Sequence, residues 1–213
     1  MTRVAVRRLS QSIRGATDDV VAAYREGRIS QEPDFTSRLV EALERAINGA
    51  QQVGGVTWRA KVLSDRGRES EESIFGADLI GVASLETAAA TIDKGFLAQA
   101  KRLGPGASMD ARGREDLVRQ SGKMLDFTPD AFVFLYSTRG VSVVPAVEVV
   151  GNGGRGLRGL HSRSLPRFYE EHLECFVGDR NLGTPTEAGL NDLRIRVQAR
   201  RLLYLTARRR ATE

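Results

Sequence analysis

The chain has 213 residues, of which 41% are hydrophobic and 28% are charged, with a formal net charge of +5. These values are ordinary for a soluble globular protein, and the basic balance favours a polyanionic partner. A single cysteine, Cys175, excludes an internal disulfide and a cysteine-based zinc site, and the absence of a secretory signal and of a run of about 20 apolar residues predicts a cytoplasmic protein without membrane contact.

Two helices are predicted in the first fifty residues. Apolar residues at helical spacing, including Tyr24, predict a helix over residues 10–27 that ends at Gly27. Asp34 or Thr36 is expected to cap a second helix. Its apolar stripe consists of Phe35, Leu39, Leu43, Ala46 and Ile47.

Three strands, a helix and two further strands are predicted in the middle of the chain. Apolar and polar residues alternate over residues 57–63, which is typical of a half-buried strand. The next two predicted strands are residues 77–83, which include Asp78, and residues 96–100. A helix over residues 114–125 and strands over residues 131–136 and 141–147 follow. The predicted order is therefore helix, three strands, helix, two strands.

The remaining residues are predicted to form a second unit. We expect residues 1–150 to be a core domain and residues 151–213 to be a helical, Arg-rich extension packed on it. Residues 193–197 also alternate between apolar and polar side chains, so that a strand is possible there. The arginines of the extension suit either a phosphate backbone or a protein partner; they are Arg194, Arg196, Arg200, Arg201, Arg208, Arg209 and Arg210.

Asp78, Gln99 and Lys101 form the clearest chemical pattern. Residues 99 and 101 are two apart on a predicted strand, so their side chains share a face. The Asp78 carboxylate, the Gln99 amide oxygen and the Ala100 carbonyl are oxygen ligands of the kind that Mg²⁺ prefers. Lys101 could reach an attacking water or a scissile phosphate. The pattern predicts phosphodiester hydrolysis that depends on Mg²⁺ or Mn²⁺.

Other carboxylates could join Asp78 at this predicted site, where Gln99 is neutral. Glu72 is the first candidate to supply the charge and a metal ligand, because it shortly precedes the strand of Asp78. Glu44, and after it Glu41, are the candidates on the second predicted helix. Each has a simpler interpretation, as part of a solvated loop or of an exposed helix flank. Gly76 would permit close approach of another part of the backbone.

Two segments carry a resemblance to a known family. Glu-Ser-Ile-Phe-Gly-Ala-Asp-Leu (72–79) and Gly-Phe-Leu-Ala-Gln-Ala-Lys-Arg (95–102), in this order of elements, resemble the PD-(D/E)xK, or restriction-endonuclease-like, nuclease superfamily. The Gly-Ala-Asp and Gln-x-Lys variants are most similar to Mrr-type restriction endonucleases and related defence nucleases. The resemblance covers about residues 34–147 and implies a mixed α/β (α+β) fold with an αβββαβ core, a divalent metal and a DNA substrate.

The resemblance also implies roles for individual residues. Asp78 corresponds to the metal-binding aspartate, Gln99 to the second acidic position and Lys101 to the motif lysine. Gln120, on the next predicted helix, corresponds to a glutamine often found there. The chain departs from the family pattern in having no proline before Asp78 and in having a glutamine at position 99.

The function that this resemblance implies is that of a metal-dependent DNA endonuclease. Such a protein would be the nuclease subunit or effector of a bacterial restriction or anti-phage defence system, as a homodimer or with an ATPase or helicase subunit. The alternative is a non-catalytic nuclease-like module that binds nucleic acid or an ATPase or helicase partner, which Gln99 and the basic tail favour. A third interpretation is a subunit that stays silent until its partner presents DNA.

Overall fold

A mixed sheet forms the centre of the protein. The computed structural model describes residues 2–50, 52–53, 55–64, 76–87, 89–104, 108–152, 156–157 and 159–209. Its helices are α1 (Arg3–Arg25), α2 (Glu32–Gly49), α3 (Ala111–Leu125), α4 (Ala146–Gly151), α5 (Leu165–Leu173) and α6 (Glu187–Val197), with a 3₁₀ turn at Arg180–Leu182. Its strands are β1 (Gln52–Val53), β2 (Val56–Ser64), β3 (Leu79–Glu86), β4 (Thr91–Arg102), β5 (Ala131–Ser137), β6 (Gly140–Pro145), β7 (Arg163–Ser164) and β8 (Arg201–Arg209). The fold is therefore mixed α/β.

The strands pair in the order β1-β2-β8-β3-β4-β5-β6-β7 in the described ranges. β3 and β4 are antiparallel, and β4 and β5 are parallel with α3 as the crossover between them. The order helix, three strands, helix, two strands is found from α2 to β6, with the short β1 as an addition. β4 is much longer than the strand predicted over residues 96–100.

Both faces of the sheet are covered by helices. One core joins α1, α2 and α5 to strand residues such as Ala83, Phe96 and Phe134. On the other face, α3 and α6 pack against strand residues such as Ile80 and Leu97. Double coverage explains why β3 and β5 are apolar along most of their length. None of the helices in these ranges is both long and apolar enough to cross a membrane.

The C-terminal region differs from the predicted helical extension. α5 and α6 are helices, and residues 193–197 belong to α6 rather than to a strand. Residues 201–209, however, are a strand inside the sheet, where β8 is antiparallel to β2 and parallel to β3. Leu203 and Leu205 face one core and Leu202 faces the other. Because both faces of β8 are buried, its apolar residues run consecutively and lack the alternation of a half-buried strand.

Side chains of α2 protect the outer edge of β2. The Asn48 amide donates to the Ala60 carbonyl (3.0 Å) and accepts from the Ala60 amide (2.9 Å). Glu44 Oε1 accepts a hydrogen bond from the Val62 amide (2.9 Å). These contacts satisfy main-chain groups that an edge strand would otherwise offer to another chain.

Candidate active site

Asp78 lies immediately before β3 and faces the end of β4. Leu79 pairs with Ala98 in the antiparallel ladder, so the next position places Asp78 opposite Gln99 on the same face of the sheet. The Asp78 amide donates to the Ala98 carbonyl (3.0 Å). Its Oδ2 accepts from the Ala100 amide (3.1 Å), which holds the carboxylate against the end of β4.

Gln99, Ala100 and Lys101 lie together at this end of β4. Gln99 is only 4% exposed, and its Nε2 lies 3.4 Å from the Ala100 carbonyl oxygen. The N–H and C=O of one strand residue point to the same edge, so the Ala100 carbonyl is directed towards Asp78 as its amide is. Lys101 shares its face of the strand with Gln99. The structure thus brings together Asp78, Gln99, Ala100 and Lys101.

The second carboxylate at this place belongs to Glu32, the first residue of α2. Its Oε1 lies 3.4 Å from Lys101 Nζ, and its Oε2 accepts from the Arg102 amide (3.1 Å). Sequence reasoning missed Glu32 because it expected the helix to begin at Asp34 or Thr36. Pro33 marks the true start, since proline is favoured in the first turn and acidic residues are favoured beside it.

The surroundings of Asp78 disfavour its negative charge. Burial raises the pKa of the Asp78 carboxyl, and the nearby charge of Glu32 raises it further. The hydrogen bond from the Ala100 amide and the charges of Arg200 and Lys101 lower the pKa, but the net direction is upward. A carboxylate in such a position gains from a cation bound beside it.

Glu44 and Glu72 were the two main residues predicted to complete the site, and of these the structure describes only Glu44. Glu44 accepts from the Val62 amide at the edge of β2. Glu44 lies roughly three helical turns, or about 18 Å along α2, beyond Glu32. It contacts β2, which β8 separates from β3. The structure therefore does not bring Glu44 to Asp78, because its oxygen is used in the edge of the sheet. Glu72 lies outside the described residues.

Helix α3 contacts the turn that leads to Asp78. Gly76 has a φ of +71°, and a Cβ added there would lie 2.7 Å from the main-chain oxygen of Gln120. The close approach expected at Gly76 is therefore present, and α3 is the element that approaches. The side-chain Oε1 of Gln120 is buried and has no hydrogen-bond partner among the described residues. A buried acceptor of this kind is normally satisfied by a water or a ligand.

β8 brings two arginines of the tail to the same end of β3. The Arg201 amide donates to the Asp78 carbonyl (3.2 Å), and the Arg201 guanidinium donates to Ser37 Oγ on α2. Burial lowers the pKa of Arg201. Arg200 precedes it by one residue. The sequence predicted either a phosphate contact or a protein partner for these arginines, but not this place, which depends on the insertion of β8 beside β3.

The oxygen atoms at the site come from Asp78, Glu32, Gln99 and the Ala100 main chain. In the part of the chain that the structure describes, no three or more His, Cys, Asp or Glu side chains form a group suited to a metal ion. A metal here would therefore depend on the two carboxylates together with amide and carbonyl oxygens. Comparisons of the chain with known protein families, with curated proteins and with solved structures found no match.

Proposed function

We propose that the protein is a divalent-metal-dependent endonuclease that hydrolyses phosphodiester bonds in DNA. The observation that carries the proposal is the meeting of Asp78, Gln99 and Lys101 at the adjoining ends of β3 and β4, with Glu32 against Lys101. In this interpretation α2, β2, β3, β4, α3 and β5 form a restriction-endonuclease-like core. β8 is then an addition between its first two strands.

The donor atoms support a magnesium or manganese ion. The Asp78 carboxylate, the Ala100 carbonyl and the Gln99 amide would hold the ion, and Glu32 would add the second carboxylate, which Gln99 cannot supply. A bound divalent ion would polarise the phosphate and lower the pKa of the attacking water. The raised pKa of Asp78 accords with this assignment, because a bound cation would favour the ionised form.

The chain's own residues would position the water and the phosphate. Lys101 would donate a hydrogen bond to the attacking water or to a phosphate oxygen that gains charge in the transition state. Glu32 would hold the Lys101 ammonium in place through their ion pair. The neighbouring Arg102 amide fixes the Glu32 carboxylate from the other side.

Cleavage of plasmid DNA tests the proposal. With Mg²⁺ or Mn²⁺, the wild-type protein should nick or linearise supercoiled plasmid, and a chelator should abolish the reaction. Asp78→Asn and Lys101→Met should each lower the rate about 100-fold or more. Glu86→Gln is the matched control, since this exposed residue ends β3 far from the site. Cutting by both site variants at the wild-type rate would contradict the proposal.

A second candidate is a nuclease-like module that binds nucleic acid or an ATPase or helicase partner without cutting. The observation that favours it is Gln99, a neutral residue that is buried where a carboxylate is expected. Titration calorimetry with Mn²⁺ separates the two candidates. Metal binding that is lost in Asp78→Asn supports the enzyme, whereas DNA binding without metal binding supports the module. A role in restriction or anti-phage defence remains a prediction from the resemblance.

A further inference from the structure

Arg200 lies beside Asp78 at the candidate site and has no part in the function proposed above. Leu79 pairs with Arg201 in the parallel ladder of β3 and β8, so Asp78 lies beside Arg200. Gln99 lies on the other side of Asp78. Paired residues of adjacent strands project from the same face of a sheet. Arg200, which directly precedes β8, and Asp78, which directly precedes β3, therefore lie next to each other, with Gln99 of β4 on the other side of Asp78.

The main chain around Arg200 is held firmly. Gln198 adopts a left-handed conformation (φ 54°, ψ 32°) that ends α6 and turns the chain towards the sheet. Ala199 and Leu202, on either side, are 3% and 0% exposed. The Arg201 amide is bonded to the Asp78 carbonyl (3.2 Å). The guanidinium of Arg200 thus extends from main chain that is anchored between α6 and β8, as a binding residue requires.

The side chain of Arg200 differs from that of its neighbour. Arg201 donates to Ser37, and burial lowers the pKa of its guanidinium. Arg200 is half-buried, and within the described residues its guanidinium makes no hydrogen bond and no salt bridge. Its charge lowers the pKa of the Asp78 carboxyl, as expected for the residue beside Asp78 in the register of β3 and β8. A planar guanidinium with unused donors suits a tetrahedral oxyanion, which it can bind through two parallel hydrogen bonds.

We propose that Arg200 binds the phosphodiester group that enters the site, through its non-bridging oxygens, so that the residue directly before β8 is the substrate-binding residue of the centre. The identification of the anion as a nucleic-acid phosphate rests on the function proposed above. The other arginines at the far end of β8 do not share this role, because Arg209 is about 30 Å away along the strand.

DNA binding without metal tests this role separately from cleavage. Fluorescence anisotropy with a labelled DNA duplex in EDTA compares the wild type with Arg200→Gln and with Arg209→Gln, which removes the same charge from an exposed position at the other end of the strand. Arg200→Gln should weaken binding about 3- to 10-fold and reduce the slope of log K against log salt by about 1. Arg209→Gln should change the affinity less than about twofold. Equal losses in the two variants would overturn the assignment.

Cleavage in Mg²⁺ supplies the second readout. Arg200→Gln should raise KM more than it lowers kcat, and Arg200→Lys should recover part of the loss, because lysine keeps the charge but not the two-pronged geometry. A thermal unfolding midpoint that falls in Arg200→Gln while DNA binding stays at the wild-type level would overturn the inference and make Arg200 a counter-ion of Asp78.

The two proposals fail in different ways. A wild-type protein that binds DNA through Arg200 but cuts it in neither Mg²⁺ nor Mn²⁺ contradicts the nuclease and supports the phosphate contact. A wild-type protein that cuts DNA, with Arg200→Gln unchanged in both binding and cleavage, contradicts the phosphate contact only. A wild-type protein without affinity for DNA contradicts both.

Discussion

At the scale of single residues, Glu32 changes the expected chemistry of the site most. Its carboxylate lies between Lys101 Nζ and the Arg102 amide, and its charge raises the pKa of Asp78. Glu32 thus brings a second carboxylate, from α2, to the ends of β3 and β4, where Gln99 is neutral. Glu44, expected in this role, instead satisfies the Val62 amide at the edge of β2.

Replacement of each of these two glutamates by glutamine distinguishes a role in the candidate site from a role at the edge of β2. If the protein is a nuclease, Glu32→Gln should lower plasmid cleavage about 100-fold, because the variant loses the second carboxylate and the partner of Lys101. Glu44→Gln, with the same loss of charge on the same helix, should cut at the wild-type rate. Initial rates of nicking measure both. The reverse ranking would show that Glu44, and not Glu32, serves the site.

His172 is a second residue with a well-defined consequence. Its ring is buried against Phe96 and Phe168, and its Nδ1–H donates to the Val177 carbonyl (3.1 Å). Burial, together with the charge of Lys94, lowers the pKa of His172 to about 3. The Lys94 ammonium donates to the carbonyl of His172 in the last turn of α5 and to that of Val177 beyond the helix. Burial lowers the pKa of Lys94 as well.

Stability should therefore fall in acid through His172. Below pH 6.5 the unfolded chain binds a proton at this histidine and the folded chain does not, down to about pH 3. Between pH 6.5 and 4.5 this linkage should cost about 2 to 3 kcal/mol of unfolding free energy. Urea denaturation at both pH values measures it, with His172→Gln as the reference that cannot titrate. An equal loss in the wild type and in the variant would contradict the buried neutral histidine.

At the scale of elements, the contact between α3 and the turn before β3 determines how the site is closed. Gly76 has positive φ and touches the main chain of Gln120, so the helix lies against the segment that leads to Asp78. The site thus lies at the adjoining ends of β3 and β4, with the start of α2 against β4 and with α3 against the turn before β3. A side chain at position 76 would separate α3 from this turn.

Gly76→Ala and Gly27→Ala isolate this contact. Both glycines have nearly the same backbone conformation, with φ of +71° and +75°, but an added Cβ at Gly27 meets no atom within 4 Å. Gly27→Ala should cost about 1 kcal/mol, the backbone strain of a non-glycine residue there. Gly76→Ala should cost about 2 kcal/mol more, because main-chain atoms of α3 must shift. Urea denaturation measures both, and equal costs would mean that the contact with α3 is unimportant.

At the scale of the whole molecule, β8 joins β1 and β2 on one side to the strands from β3 to β7 on the other. It pairs with β2 along its whole length and with β3 over most of it. Its leucines contribute to cores on both faces. The last described strand therefore lies inside the sheet, and it joins β2 to β3.

Removal of β8 should abolish cooperative folding. A chain that ends at residue 199 leaves the inner edges of β2 and β3 unpaired, and it exposes the two cores that contain Trp58 and Ile80. We therefore expect the loss of near-ultraviolet circular dichroism and of a cooperative urea transition. A synthetic peptide of residues 200–209 added in trans should restore part of the signal. A cooperative transition with native circular dichroism in the shortened chain would contradict this role of β8.

Much of the central fold could be predicted from local pattern. The helices and strands from α2 to β6 follow apolar spacing, and their order is as predicted, although Thr91–Arg102 extends well beyond the predicted strand. The extension includes Lys94, a buried charge that apolar patterning does not mark as a strand residue. Asp78, Gln99 and Lys101 could be selected because they lie at the adjoining ends of two consecutive strands. Their catalytic role stays a prediction.

The sequence by itself determined which segments form strands and helices in the middle of the chain and which residues stand at the ends of β3 and β4, because side-chain period and chain order are local properties. Only the tertiary structure decided which distant residues meet them. Glu32 reaches Lys101 because α2 begins at the Glu-Pro pair and crosses the end of β4. Arg200 reaches Asp78 because β8 enters between β2 and β3, and strand order in a sheet depends on burial across the whole molecule rather than on local spacing.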